Sequence, residues 1–183
     1  LQAKRTITFG ALKPGLLLEP GASRAGEIEI ADLGLNIEGS RSSLITDQDL
    51  APVLSQRTTT DHKWTNAVRL IAASPGMIGA AQLAASGALR AGAGMVVVSS
   101  PTINLQSNDM PPEAVQRKIT AATLVPEVLK DLDRFAALLI GPGLGTDPET
   151  VAMTAELIER SPIPTVVDAD GKRKARDFTF LVT

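Results

Sequence analysis

The 183-residue sequence contains no cysteine and only one histidine, His62. The first absence excludes a disulfide framework, a thiolate metal site and a cysteine nucleophile within these residues. The second excludes a metal site built on a pair of histidines. A strongly basic face is also missing: the 18 basic and 20 acidic side chains are dispersed. Neither nucleic acid nor an anionic membrane is therefore an expected partner. The opening stretch, Leu1 to Gly10, has neither the apolar core nor the small-residue cleavage site of a secretory signal, and it lacks an initiator methionine. The expectation is an internal start and a reducing, cytoplasmic setting. Long hydrophobic runs are scarce as well. Leu70 to Ser100 carries a single charge, Arg90, but Pro75, Gly76, Gly79, Gly87, Gly92 and Gly94 interrupt it. It reads as a buried element of a soluble domain rather than a membrane span.

What is present is a 44% hydrophobic composition, enough for a core in one domain or in one domain with part of another. In the first 35 residues "RTITF" and "GEIEIADLGL" alternate as strands, while "KPG" and "EPGASRAG" have turn chemistry. From Asn36 to Thr60 the chain is polar and aperiodic, a linker with a short helix over Asp47 to Leu54.

Beyond Asp61 strands and helices alternate. "AVRLIAA" predicts a strand, Ser74 and Pro75 open a helix running to Arg90, Gly92 stops it, and "GMVVVSS" is the next strand. "VPEVLKDLDRF" predicts a helix and "AALLI" a strand; Asp147 and Pro148 open a helix through Glu159, and "PTVVDAD" follows as a strand. Continuous apolar runs mark strands buried on both faces, so the prediction is a mostly parallel sheet flanked by helices.

Three features could carry chemistry. "GPGLGTDPET" places Gly141, Gly143 and Gly145 between a strand and a helix start, where backbone amides can meet a ligand. It has neither the dinucleotide fingerprint nor the P-loop spacing, and a tight turn would also use glycine there. "AASPGMIGAAQLAA" puts Gly79, Ala80 and Ala81 at the equivalent place after an earlier strand, either to admit a ligand or to pack the helix closely. "VVDADG" sets Asp168 and Asp170 on one face if the strand continues that far, for Mg2+ or a hydroxyl, or as a cap.

In order, "HKW", "AASPGMIGAAQLAASGALRAGAGMVVVSSP", "PPEAV", "ALLIGPGLG" and "PTVVDADG" resemble the ribokinase-like NAD(P)H-hydrate dehydratases. Upstream, "TITFGALKPGLLLEPGASRAGEIEIADLGL" resembles the closing strands of the NAD(P)H-hydrate epimerase domain that bacterial bifunctional repair enzymes fuse in front. The resemblance implies residues 1–38 as the β-rich tail of a Rossmann-like epimerase domain, 39–60 as linker and 61–183 as the first part of the dehydratase domain. It implies the repair of NADHX or NADPHX, the hydrated cofactors. ADP (or ATP), with Mg2+, phosphorylates the added hydroxyl, and loss of phosphate restores the double bond. An epimerase activity and a homo-oligomer are expected of the parent protein. Ala80 or Ala81 and Gly141, Gly143 and Gly145 would contact the hydrate, and Asp168 and Asp170 would position nucleotide or metal.

The chain departs from the family's pattern at Ala73-Ser74, where Gly-Ser is usual. It also stops at Thr183, before the family's lysine-containing nucleotide loop and the Gly-x-Gly-Asp motif whose aspartate is the base. The expectation is that the 183 residues alone are inactive. Competing readings are a ribokinase-like kinase of a small alcohol and a non-catalytic nucleotide-binding module.

Overall fold

The computed structural model describes residues 1–36, 43–54 and 58–174, and the chain divides into two compact units, 1–52 and 53–183. In the first, β1 (Arg5–Phe9) pairs in parallel with β2 (Glu27–Ala31), in a register that sets Arg5 opposite Glu27 and Phe9 opposite Ala31. A parallel pair needs a crossover connection. Two four-residue helices supply it, α1 (Pro14–Leu17) and α2 (Ala22–Ala25), where the sequence predicts turns. Pro14 fits the first turn of α1 because a donor missing there breaks no helical bond. The Lys13 ammonium fastens the start of the crossover, donating to the Thr8 hydroxyl and the Phe9 carbonyl, each at 2.7 Å. The predicted helix after the polar stretch is α3 (Asp47–Leu50), shorter than expected, opened by a reciprocal Thr46–Asp49 capping box. Those hydrogen bonds from Thr46 hold the Asp49 carboxyl below the usual carboxylate range. Part of the predicted linker, 39–42 and 55–57, lies outside the described residues.

The second unit is built on five parallel strands in the order β5-β4-β3-β6-β7: β3 (Val68–Ile71), β4 (Val96–Ser99), β5 (Ala114–Gln116), β6 (Ala137–Ile140) and β7 (Thr165–Val167). The connections carry α4 (Ile78–Arg90), α5 (Leu124–Leu129) and α6 (Pro148–Arg160). The run from Leu70 to Ser100 is thus strand, helix, strand, and no helix among the described residues is long and apolar enough to cross a membrane. "VPEVLKDLDRF", predicted as one helix, is α5 followed by a separate 3-10 turn over Leu132–Arg134.

Alternation along the strands divides the core. Leu70, Val96 and Val98 pack with Ala81 and Ala85 of α4 on one face. Ile71, Val97, Leu138 and Ile140 pack with Leu124, Val128, Leu157 and Ile158 of α5 and α6 on the other. Each Leu or Ile so buried contributes roughly 2 kcal/mol. Small alanines on α4 let that helix lie close to the sheet.

One charge lies within this core. Arg69 of β3 is fully buried, and it donates to the Val97 carbonyl and to the Ser99 hydroxyl, both at 2.8 Å. Ser99 in turn donates to the Arg117 carbonyl at 2.5 Å, and the Arg117 guanidinium pairs with Asp131 at 2.8 Å. Burial, and then the neighbouring Arg117, push the Arg69 pKa down to about 10, so the guanidinium still carries its proton at neutral pH. Arg69 Nε and Asp131 Oδ1 have no hydrogen-bond partner among the described residues.

Arg69→Ala should therefore lower stability by about 3 kcal/mol, through the void and the unsatisfied acceptors it leaves. Arg69→Met, which fills most of the same space but leaves the same acceptors without a donor, should cost less, about 1 to 2 kcal/mol. Denaturant midpoints of the two variants check this. Equal losses would mean that the charge itself is required.

Candidate functional site

The order of the sheet locates the site. The chain winds from β3 outward through β4 to β5, then returns to the other side of β3 for β6 and β7. Where winding reverses, the loops leaving two adjacent strands part in opposite directions and open a crevice at the strands' carboxyl ends. Here those loops are Ala72–Met77, after β3, and Gly141–Asp147, after β6.

The first loop differs from its prediction. Ser74 does not cap a helix: α4 begins at Ile78, after a turn closed by the Met77 amide donating to the Ser74 carbonyl at 2.9 Å. Pro75 and Gly76 occupy that turn, and Gly76 takes a φ of 81°. No side chain caps α4, whereas at α6 the Asp147 carboxylate accepts from the amides of Glu149 and Thr150, both at 3.1 Å. The α4 terminus thus retains the partial positive charge of uncapped first-turn amides. Ala73 is buried at φ 72°; its amide donates to the Pro142 carbonyl at 3.0 Å and its carbonyl accepts from the Ser100 hydroxyl at 2.8 Å.

The glycines of the second loop each meet a different neighbour. At Gly141, φ is 126° and a Cβ would collide with the Asp168 carbonyl beyond β7. Gly143 has φ 63°, and a Cβ there would lie 2.7 Å from the Met77 carbonyl and 3.0 Å from the Ala80 methyl. The space beside Gly143 is filled by the start of α4, so a branched residue placed there meets protein before it meets ligand. Gly145 lies beside Ser74, and its amide donates to Asp170 Oδ2 at 3.0 Å.

The structure therefore brings Ser74, Ala80, Gly141, Gly143, Gly145 and Asp170 together. Gly141 and Gly143 are buried and shape the loop, while Ala80 and Gly145 are partly exposed. Ala81 faces away, fully buried against the sheet, because one residue along a helix turns the side chain by about 100°. The strand carrying Asp168 and Asp170 ends at Val167, short of what a shared strand face requires. A 3-10 segment over Ala169–Lys174 follows, with Ala169 at φ 44°, and it swings Asp170 to the glycine loop. The Asp168 backbone closes this turn, its carbonyl accepting from the Gly171 amide at 2.9 Å. Among the described residues no group of three or more His, Asp or Glu could by itself hold a metal. His62 serves a local turn, its Nδ1 accepting from the Trp64 amide at 3.1 Å.

A family model for NAD(P)H-hydrate dehydratase matches residues 68–177. A bifunctional NAD(P)H-hydrate repair enzyme of Moorella thermoacetica is 36% identical over 199 residues, covering 100% of this chain and 37% of its own length. The corresponding enzyme of Escherichia coli is 31% identical, covering 93% of this chain and 33% of its own length. The chain thus spans about a third of these relatives. The ADP/ATP-dependent NAD(P)H-hydrate dehydratase of Bacillus subtilis, co-crystallised with ATP and Mg2+, superposes with a TM-score of 0.54 at 28% identity, over 73% of this chain and 48% of its own. A ribokinase-like superfamily protein of Enterococcus faecalis, 20% identical over 64% of this chain and 42% of its own, has the same fold with a TM-score of 0.54.

Two substitutions separate the loop's backbone from its carboxylate. Gly141→Ala should cost at least about 3 kcal/mol, because left-handed backbone strain adds to a collision with main chain. Asp170→Asn keeps an acceptor for the Gly145 amide and should cost less than Asp170→Ala, which should lose about 1 kcal/mol. Thermal melts, with amide exchange at Gly145, check the order. Faster exchange in the Asn variant than in the Ala variant would contradict it.

Proposed function

This chain belongs to the NAD(P)H-hydrate dehydratase family, and we propose that it supplies the hydrate-binding half of an enzyme that restores NADH and NADPH hydrated on the nicotinamide ring. The observation that carries the proposal is the uncapped start of α4, set against the glycine loop at the reversal of the sheet. Amides and small side chains there suit a flat ring whose added hydroxyl receives a phosphoryl group, and the partial exposure of Ala80 and Gly145 supports them as its contacts. A nucleoside diphosphate or triphosphate would supply that group. Expulsion of phosphate, with loss of a ring proton to a base, then regenerates the double bond. In this reading the protein holds the hydroxyl in line and offers fixed dipoles to the developing charge.

Asp168 and Asp170 fit a supporting role toward Mg2+, which keeps most of its waters and takes only one or two protein carboxylates beside phosphate oxygens. Asp170 already spends one oxygen on the Gly145 amide. The first unit is proposed as the end of an epimerase domain, in a cytoplasmic enzyme with isomerase and lyase activities. Its parallel β1–β2 pair leaves Ile7, Phe9 and Ile30 at least half exposed, which suits a sheet that continues into further structure.

The test is to supply the complete gene product with hydrated NADH, ADP and Mg2+ and follow the return of nicotinamide absorbance. Recovery of NADH is expected. Phosphorylation of thiazole or pyrimidine alcohols in place of hydrated NADH would overturn the proposal. In the same assay Asp168→Asn should raise the Mg2+ requirement while turnover persists at saturating metal, since an amide accepts hydrogen bonds but lacks the charge that attracts a cation. An unchanged Mg2+ profile would remove Asp168 from the site.

A further inference from the structure

A second recess opens on the same edge of the sheet, away from the glycine loop. It is a cavity of about 190 Å³ lined by Ser100, Asn104, Gln116, Arg117 and Lys118 with two apolar side chains. No carboxylate is among its lining residues. The Arg117 guanidinium is committed to Asp131. The side-chain amides of Asn104 and Gln116 and the Lys118 ammonium make no hydrogen bond or ion pair with the described residues, so their donors are free.

Register fixes how this recess relates to the glycine loop. Val98 lies opposite Gln116, Ile71 opposite Ser99, and Ile71 opposite Ile140. Pairing continues past the strand ends through Arg117 N to the Val98 carbonyl, Ala72 N to the Ser99 carbonyl and Gly141 N to the Ile71 carbonyl. Lys118, Ser100, Ala72 and Gly141 therefore stand level on four neighbouring strands, and three interstrand steps of about 4.8 Å put Lys118 about 14 Å from the glycine loop. Gln116 pairs with Val98, whose side chain packs in the same cluster as α4, so the recess opens on the face where α4 meets Gly143.

A cavity of this size falls below the roughly 300 Å³ at which small-molecule pockets begin, so it suits one group of a ligand rather than a whole ligand. A cation with two free amides and no carboxylate selects an anion rich in acceptors. We propose that Asn104, Gln116 and Lys118 form a phosphate subsite that holds a phosphate of the dinucleotide whose nicotinamide end lies at the glycine loop. The inference rests on the proposed hydrate-binding function for its ligand, while the phosphate chemistry stands on the recess alone.

The test titrates the complete gene product and its Lys118→Gln variant with NADPH, with inorganic pyrophosphate and with nicotinamide riboside. Amide resonances of Asn104, Gln116 and Lys118 are followed alongside affinity. Lys118 is exposed, and melting curves of the two proteins should coincide. Loss of one charge-assisted contact should weaken NADPH and pyrophosphate by roughly tenfold and leave the riboside unchanged. NADPH binding that is indifferent to Lys118→Gln, with the three amides unmoved, would overturn the subsite and leave the hydrate-binding function intact. Pyrophosphate binding that depends on Lys118 in a protein that ignores NADPH would support the subsite, with a free anion as occupant, and defeat the hydrate-binding function. A wild-type protein that binds neither would overturn both.

Discussion

Ala73 is the residue on which the carboxyl edge of the sheet depends. It lies two residues past β3, the strand at which winding reverses, and its two backbone groups reach in opposite directions: the amide to Pro142 beyond β6, the carbonyl to the Ser100 hydroxyl beyond β4. Both bonds form because Ala73 adopts φ 72°, a conformation that costs an L-residue about 1 to 3 kcal/mol. Strain of that size persists only where the surroundings over-determine it. Complete burial, two hydrogen bonds and neighbouring strands already held in register do so here. With Ala73 fixed, Ser74 and Pro75 must turn away from the sheet, and α4 begins where its amides face the crevice.

The glycine loop follows from the same constraint. Pro142 sits between two glycines because its carbonyl must meet the Ala73 amide while the chain on either side passes close to other backbone. Gly141 clears the Asp168 carbonyl and Gly143 clears the Met77 carbonyl. The bareness of this stretch is thus first a matter of main chain packed on main chain, and of its three glycines Gly145 alone is partly exposed. The Asp170 carboxylate then accepts from the Gly145 amide, so the end of the loop is held in place and that amide is already engaged.

Most of the second unit was legible in the sequence, for a physical reason. Strands covered on both faces must be apolar throughout, so "MVVV" and "ALLI" stand out, and Asp147-Pro148 marks a helix start that the structure reproduces as a side-chain cap. The ribokinase-like topology also agrees with the resemblance carried by the ordered motifs. What was not legible depends on tertiary contact. Ser-Pro-Gly has the chemistry of a helix cap and of a turn, and only the pinning of Ala73 selects the turn. β5 is three residues, "AVQ", too short to show a period. Ala80 and Ala81 are equivalent in composition, and helix phase alone sends one to Gly143 and the other into the core. Asp168 and Asp170 alternate like strand residues, yet the strand ends before them because Ala169 enters the left-handed region.

β5 raises the question of how so short an edge strand is held well enough to carry a binding surface. Three residues of ladder, paired on one side only, give little cooperative stability of their own. The polar chain through the core supplies the rest. Arg69 on β3 reaches across β4, binding Val97 and Ser99, and Ser99 binds the carbonyl of Arg117 just past β5. Arg117 closes the chain on Asp131, anchoring β5 to the segment after α5. A buried cation costs stability by itself, but a network with most of its members bonded fixes one arrangement and excludes a slipped register, which would bury further donors without partners. One face of the sheet thus holds the polar network that sets the position of Gln116, Arg117 and Lys118. The opposite face, packed against α4 by alanines, carries the crevice and the recess where a ligand would lie.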